Sequence, residues 1–143
     1  MRQLLLCLLL LIPTLSFADD APGHSKHGSA FDSGMRTKPW VIKGIGNTPF
    51  PITTKNPEVQ KWFDQGNALL HSFWFEEAER SFRWCHKLDS DNAMVYWSLA
   101  RCGFNWFSIG APNFDDKRFD RYKTFLNEAV RRKHKVSERE RMY

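Results

Sequence analysis

The fold is decided by residues 57–92, which read PEVQKWFDQGNALLHSFWFEEAERSFRWCHKLDSDN. Asn56 stands before this stretch as a helix cap, and Pro57 and Glu58 are both favoured in a first helical turn. Apolar and small residues then recur at steps of three and four, which is the period of an α-helix. They are Val59, Trp62, Phe63, Gly66, Leu69 and Leu70 in one helix and Phe75, Ala78, Phe82, Cys85 and Leu88 in the next. The break at 71–74 predicts a tight turn between the two helices.

Two more helices are predicted beyond this pair. Residues 93–107 are apolar almost all round, so a helix there must be covered on several sides. Residues 115–135 predict a fourth helix with one apolar side. Ser137, with Glu140 three places later, forms a capping box that predicts the start of a further helix over 137–143. Because only one turn follows this capping box, we expect that the chain is a fragment and that further repeats follow in a longer chain.

The first 56 residues lack this helical period. Residues 1–18 combine a positive start, an apolar run and small residues before Asp19, which is the layout of a secretory signal peptide cleaved after Ala18. Because the apolar run is too short to cross a bilayer, the mature protein is expected to be soluble, without a membrane span, in the periplasm or outside the cell. Residues 19–56 hold most of the glycines and prolines and predict a flexible arm.

Chain length and cysteine content narrow the class of protein. The 143 residues, 42% hydrophobic and 15% aromatic, can build one packed domain but not two. Three cysteines are too few for a disulfide-stapled miniprotein. Cys85 and Cys102 lie out of register on antiparallel helices, at least a helical turn apart, so we predict two free buried thiols.

The charge of the chain is modest. Its 21 basic and 16 acidic residues give a net charge of +5, and a nucleic-acid partner would require those charges to be clustered. No nucleic-acid ligand is therefore expected. The basic run 131–135 suits the negative end of the fourth helix, and attachment to an anionic polymer through this run is a minor alternative.

Residues 59–92 match the tetratricopeptide pattern in register. Trp62, Gly66, Ala78 and Phe82 are identical to that pattern, and the two small residues are needed where the helices cross closely. The other packing positions hold Leu69 and Cys85 in this unit and Tyr96 and Ala100 in a second unit that starts 34 residues later.

The pattern predicts an all-α protein with a TPR-like, right-handed solenoid of helical hairpins. About two hairpins are expected over 57–135. The first covers 59–92, and the second runs from 93 to about 135. The second departs from the pattern because Gly103 replaces an aromatic residue and a loop over 108–114 lengthens the turn.

Residues 44–143 resemble a family of exported tetratricopeptide-repeat proteins. The resemblance is carried by GIGNTPFPITTKNPEVQKWFDQG (44–66), HSFWFEEA (71–78) and NAMVYW (92–97). Members of that family are long arrays without a known reaction, so the resemblance implies a non-catalytic binding scaffold.

In such repeats the first helix of each hairpin lines a concave groove, and the exposed side of that helix can bind an extended protein or peptide. The expected groove residues are Gln60, Phe63, Asn67 and His71 on the first helix and Met94, Trp97, Arg101 and Asn105 on the third. Leu70 and Phe104 share these faces. For the aromatic residues the alternative is a core position, covered by the arm or by later repeats.

One alternative from another class is a metal-dependent enzyme or accessory protein that uses His71 with Glu76 or Glu77 at the turn. A histidine at such a place more often packs at the helix end. His24 and His27 have metal-ligand spacing but no third ligand. Zinc, haem, phosphate-loop and serine-nucleophile motifs are absent from the sequence. We therefore expect no catalytic residue, no metal and no cofactor.

Overall fold

The computed structural model describes residues 38–108 and 116–143, with side chains over 38–104 and 119–143. Its helices are α1 (Pro57–His71), α2 (Phe75–Leu88), α3 (Ala93–Ser108) and α4 (Asp116–Arg131), followed by two 3₁₀ turns at Lys133–Lys135 and Glu140–Met142. The described ranges contain helices and no strands, which confirms the all-α prediction. The predicted signal peptide, both tail histidines and the loop over 109–114 lie outside the described residues.

The start and end of α1 follow from its sequence. The Asn56 side chain accepts a hydrogen bond from the Glu58 N–H at 2.9 Å, and Pro57 occupies the first turn. The helix ends at His71, and three residues connect it to α2. Phe73 has a φ of 60° in that turn, where it is 72% exposed. The chain reverses within this short turn, and α2 packs back against α1.

Gly66 of α1 lies directly against the ring of Phe82 on α2. A Cβ built on Gly66 would lie 2.5 Å from Cε1 of Phe82, a buried ring. Ala78 is fully buried on α2. The sequence predicted that position 66 must be small, and the ring of Phe82 is the group that requires it.

Helix α3 packs against both α2 and α4. Its apolar side chains form the centre of the core with residues of the neighbouring helices, as the all-round apolar pattern demands. The fully buried members are Val95, Tyr96, Leu99, Cys102 and Phe125. None of the helices in the described ranges has the length and apolar content needed to cross a membrane.

Residues 38–56 form a U-shaped arm around α1. The first limb (38–42) lies beside α1 and α2, where the Ile42 N–H donates to Gln65 at 3.1 Å. The second limb (48–52) lies on the side of α1 that faces α3. Gly44 and Gly46 make the bend between the limbs with φ of 84° and 85°, a backbone region that glycine adopts without steric cost.

Residues 38–56, the described part of the predicted arm, are held by hydrogen bonds along α1. The sequence does not predict these bonds, and this has a physical reason. Polar side chains of α1 bind the main-chain groups of the arm, and a composition rich in glycine and proline does not reveal these partners in advance.

Candidate functional site

The second limb lies in a groove between α1 and α3, and α1 holds it by its main chain. Gln60 accepts a hydrogen bond from the Ile52 N–H at 2.9 Å and donates one to the Phe50 carbonyl at 3.0 Å. Asp64 accepts from the Phe50 N–H at 2.9 Å. Both main-chain polar groups of Phe50 are thus bound by side chains one helical turn apart on α1.

Asn67 continues this row one turn further along α1. Its amide donates to the Thr48 carbonyl at 3.1 Å. Asn67 and Gln60 bind the two ends of the limb. They are seven residues apart on α1, which is about 10 Å at a rise of 1.5 Å per residue. Only four steps of the second limb, from Thr48 to Ile52, cover that distance. The limb must therefore be extended, because a helix would advance only about 6 Å in four steps.

Proline alternates with the bound residues of the second limb. Pro49 and Pro51 are exposed and carry no N–H, while the N–H groups of Phe50 and Ile52 are bonded to α1. The proline rings also restrict the backbone to extended conformations. The sequence of the limb therefore favours an extended conformation in which the N–H groups of Phe50 and Ile52 both face α1.

The ring of Phe50 occupies an aromatic slot. Its centroid lies 5.9 Å from that of Phe63, 5.9 Å from the stacked ring of Trp97 and 5.3 Å from that of Tyr143. The Arg139 guanidinium lies 5.1 Å from the same centroid. These groups provide one apolar pocket with a cation at its edge.

Residues 137–143, here called the closing turn, hold the second limb from the other side. The Glu140 carboxylate accepts from the Thr53 N–H at 2.6 Å and from the Thr53 hydroxyl at 2.5 Å. It also accepts from the Ser137 N–H at 2.9 Å, so the predicted capping box is present. Arg139 donates to the Pro51 carbonyl. Glu140 therefore serves both as a cap and as a tie to the arm.

The Glu140 carboxylate remains charged at neutral pH. Burial acts to raise its pKa, but hydrogen bonds from Ser137 and Thr53 outweigh this effect, and the net pKa lies below its ordinary value of 4.5. The tie between the closing turn and the arm is accordingly intact at neutral pH.

The structure places the predicted groove residues as follows. Gln60 and Asn67 bind the second limb, as described above. Phe63 is fully buried beneath Phe50, which is the core position that the sequence left open as an alternative. Met94 is buried and Trp97 is half-buried against Phe50. A segment of the chain itself thus occupies the groove.

The remaining predicted groove residues lie around its ends. The Arg101 guanidinium stacks 5.0 Å from the Trp97 ring. His71 is exposed at the end of α1, Leu70 is buried, and Phe104 is 48% exposed. The side chain of Asn105 lies outside the described residues.

The first limb is held by a second set of contacts. Gln65 accepts from the Ile42 N–H and donates to the Trp40 carbonyl at 3.0 Å. Lys38 bonds Glu58 at 2.8 Å and lies 5.1 Å from the Trp84 ring. The hydrogen bond from Lys38 lowers the pKa of Glu58. Both limbs are therefore bound through polar side chains of α1.

Helix α2 carries a buried ionic cluster. Its helical spacing, with the apolar stripe on the other side, predicts that Glu79, Arg80 and Arg83 lie mostly on the exposed side of the helix. That placement is wrong, since all three side chains are at most 4% exposed. Arg121 of α4 donates to Glu79 at 2.6 Å, and Arg83 lies 3.4 Å from the same carboxylate. The local pattern could not show this cluster because Arg121 is 42 positions from Glu79.

Cys85 and Cys102 are buried and carry free thiols, as the register of the helices predicted. The Cys85 thiol lies 3.4 Å from the Val59 carbonyl and donates to it. Burial raises the pKa of both thiols well above its ordinary value. Both therefore remain protonated and unreactive at neutral pH.

The residues of the enzyme alternative lie around the α1–α2 turn and the first turn of α2. Glu77 pairs with Arg80 at 3.0 Å, whereas His71 and Glu76 are exposed. Over residues 38–104 and 119–143, no three side chains of His, Cys, Asp or Glu gather as a metal site would require.

The basic run at the end of α4 is largely paired with the chain's own acids. Arg131 bonds Glu128 at 2.9 Å, Arg132 bonds Asp91 at 3.0 Å, and Lys135 also bonds Asp91. The hydrogen bond from Lys135 lowers the pKa of Asp91. This pairing leaves less positive charge for an anionic polymer than the sequence suggests.

Comparison of the chain with protein-family models, with curated proteins and with solved structures finds no match. The groove and its contacts with the second limb are therefore the features of the molecule that bear on its function. The main chemical property of this groove is that it binds main-chain groups.

Proposed function

We propose that this protein is a non-catalytic scaffold of the tetratricopeptide-repeat type that binds an extended protein segment in the α1–α3 groove. The observation that carries the proposal is the extended polypeptide already held there. Gln60, Asp64 and Asn67 bind its carbonyl and N–H groups in a row along one side of α1.

This arrangement has the two parts that peptide recognition needs. Main-chain hydrogen bonds hold any extended segment with little regard to its side chains, and pockets for particular side chains then add selectivity. The aromatic slot around Phe50 is such a pocket. Trp97, Tyr143 and Arg139 around this slot belong to the residue types that most often dominate the binding energy of protein interfaces.

Packing and sequence support the repeat type. Gly66 and Phe82 fit together as the tetratricopeptide pattern requires, and the helices pack in chain order as two successive hairpins. The signal-peptide layout of residues 1–18 supports a function outside the cytoplasm.

A selection from displayed random peptides tests the proposal with the full chain as bait. Enriched peptides carrying a photocrosslinker should label α1 and α3, with crosslinks mapped to residues 60–67 and 94–101 by mass spectrometry. Failure to enrich any peptide over an unrelated helical protein would contradict the proposal. So would crosslinks confined to α4 or to the basic run at 131–135.

A further inference from the structure

The second limb has the properties of a ligand. Resting on the function proposed above, we infer that residues 48–52 are a resident ligand of the groove, which competes with the true partner. The partner is a protein carrying an extended segment with the same chemistry, proline–aromatic–proline–aliphatic.

The aromatic and aliphatic positions follow from the pockets that the limb fills. The ring at position 50 lies between Phe63, Trp97 and Tyr143. The side chain at position 52 is 9% exposed, and its N–H bonds Gln60. A partner segment therefore needs an aromatic residue and, two places later, an aliphatic residue on the same side of an extended chain.

The prolines follow from the cost of ordering a free segment. Pro49 and Pro51 are exposed, so their rings contribute little contact with the groove. They hold the backbone extended before binding, which reduces the conformational entropy lost on binding. The missing N–H groups of the two prolines cost no hydrogen bond, because the acceptor oxygens of Gln60 and Asp64 bind the N–H groups of Ile52 and Phe50.

The limb is attached in a way that permits exchange. Hydrogen bonds with the side chains of Gln60, Asp64, Asn67 and Arg139 hold its main chain, and no helix or sheet ladder includes it. Phe50 and Trp97 both remain half-buried. Because the limb is tethered beside the groove, its effective concentration there is in the millimolar range, and a free segment must compete with it. The measured affinity of a partner then equals its intrinsic affinity multiplied by the fraction of molecules whose groove is free of the limb.

The test measures binding of a fluorescent peptide, Asn-Thr-Pro-Phe-Pro-Ile-Thr (residues 47–53), to the full chain by fluorescence anisotropy. The variant Phe50→Ala weakens the resident limb and leaves the groove intact. It should bind the peptide at least tenfold more tightly than the wild type. Phe73→Ala removes an exposed ring in the α1–α2 turn and should bind as the wild type does. A peptide with alanine in place of its phenylalanine should bind at least tenfold more weakly.

A second variant guards against a folding defect in Phe50→Ala. Pro49→Gly with Pro51→Gly keeps the groove contacts of the limb and raises the entropy of its free state. It should strengthen peptide binding about threefold to tenfold, with a circular dichroism spectrum equal to that of the wild type.

Equal binding to wild type and both limb variants would overturn the inference, as would equal binding of the two peptides. A concentration-dependent dimer of the wild type in light scattering, lost in Phe50→Ala, would also overturn it by making a second copy the occupant. If the peptide binds no variant while selected peptides still crosslink to the groove, this inference fails and the proposed function stands. If the selection also yields nothing, both fail.

Discussion

The two helical hairpins differ in how much space they leave at a glycine of their first helix. In α1–α2, a Cβ on Gly66 would lie 2.5 Å from the buried Phe82 ring. In α3–α4, a Cβ on Gly103 would lie 3.5 Å from Tyr122 Cβ, an ordinary van der Waals contact. The first hairpin requires its glycine, whereas the second can accept a methyl group in van der Waals contact with Tyr122. Equivalent-looking small residues therefore have different structural roles.

The hairpins also differ in what covers them. The arm covers the groove side of α1, whereas aromatic residues of the second hairpin remain exposed. An open pocket of about 260 Å³ at this end is lined by Trp97, Ala100, Arg101, Phe104, Tyr122, Leu126 and Tyr143. The contacts between the two halves of the chain include the buried pair of Glu79 with Arg121, and the tie of Thr53, before α1, to Glu140, after α4. Four substitutions test these contacts and the difference in packing between the two hairpins.

The largest effect is expected from Glu79→Gln. It removes the charge that Arg121 and Arg83 face in the core. Removing one partner of a buried ion pair should lower the free energy of unfolding by about 3–5 kcal/mol. Chemical denaturation measures this change. Glu128→Gln, in a more exposed pair with Arg132, is the control and should cost at most about 1 kcal/mol. Equal losses in the two variants would show that burial of the cluster does not increase its contribution to the free energy of unfolding.

Gly66→Ala should be the next most damaging. The added methyl group cannot fit against Phe82, and this overpacking should lower the free energy of unfolding by about 1–3 kcal/mol. The double variant with Phe82→Leu should recover part of the loss, because the smaller side chain makes room. Thermal denaturation followed by circular dichroism compares the variants. A stable Gly66→Ala protein would refute close packing at this crossing.

Glu140→Gln should weaken the tie between the hairpins. Loss of the charged acceptor for Thr53 and Ser137 should reduce stability at neutral pH by about 1–2 kcal/mol. Because the folded-state pKa of Glu140 lies below 4.5, its contribution is present above that pH and is lost as the pH falls through the folded-state value. The wild type should therefore lose its advantage over the variant on acidification. A stability difference that stays constant from pH 7 to pH 3 would contradict this.

Gly103→Ala should have the smallest effect and the opposite sign. The site accepts a methyl group, and alanine favours a helix over glycine by up to about 1 kcal/mol. A modest rise in the denaturation midpoint is expected. Destabilisation comparable to that of Gly66→Ala would show that both hairpins are packed equally tightly.

Much of the helical layout could be predicted from local signals. Asn56 caps α1, and Asn92 caps α3 by accepting from the Met94 N–H at 3.0 Å. Such caps act over two or three residues and are visible in the sequence. The face of α1 that carries Gln60 and Asn67 was also recognisable from helical spacing. The sequence left its cover open between the arm and later repeats, since nothing local links Thr48 to Asn67.

The polar face of α2 shows the limit of such reasoning. Glu76 and Lys87 are exposed, as their charge suggests, while Glu79 and Arg83 are buried. Helical spacing gives the direction in which a side chain points. Whether another element covers that direction depends on contacts between residues far apart in the chain.

By itself, the sequence determined where α1, α2 and α3 begin, that position 66 must be small, and that both cysteines would be buried. These features depend on backbone propensity, capping and periodicity, which act within a few residues. Only the tertiary structure decided that the arm fills the groove, that Glu140 ties it down and that Arg121 neutralises Glu79. Those contacts join residues 19 to 87 positions apart, and their partners are fixed only when the whole chain packs.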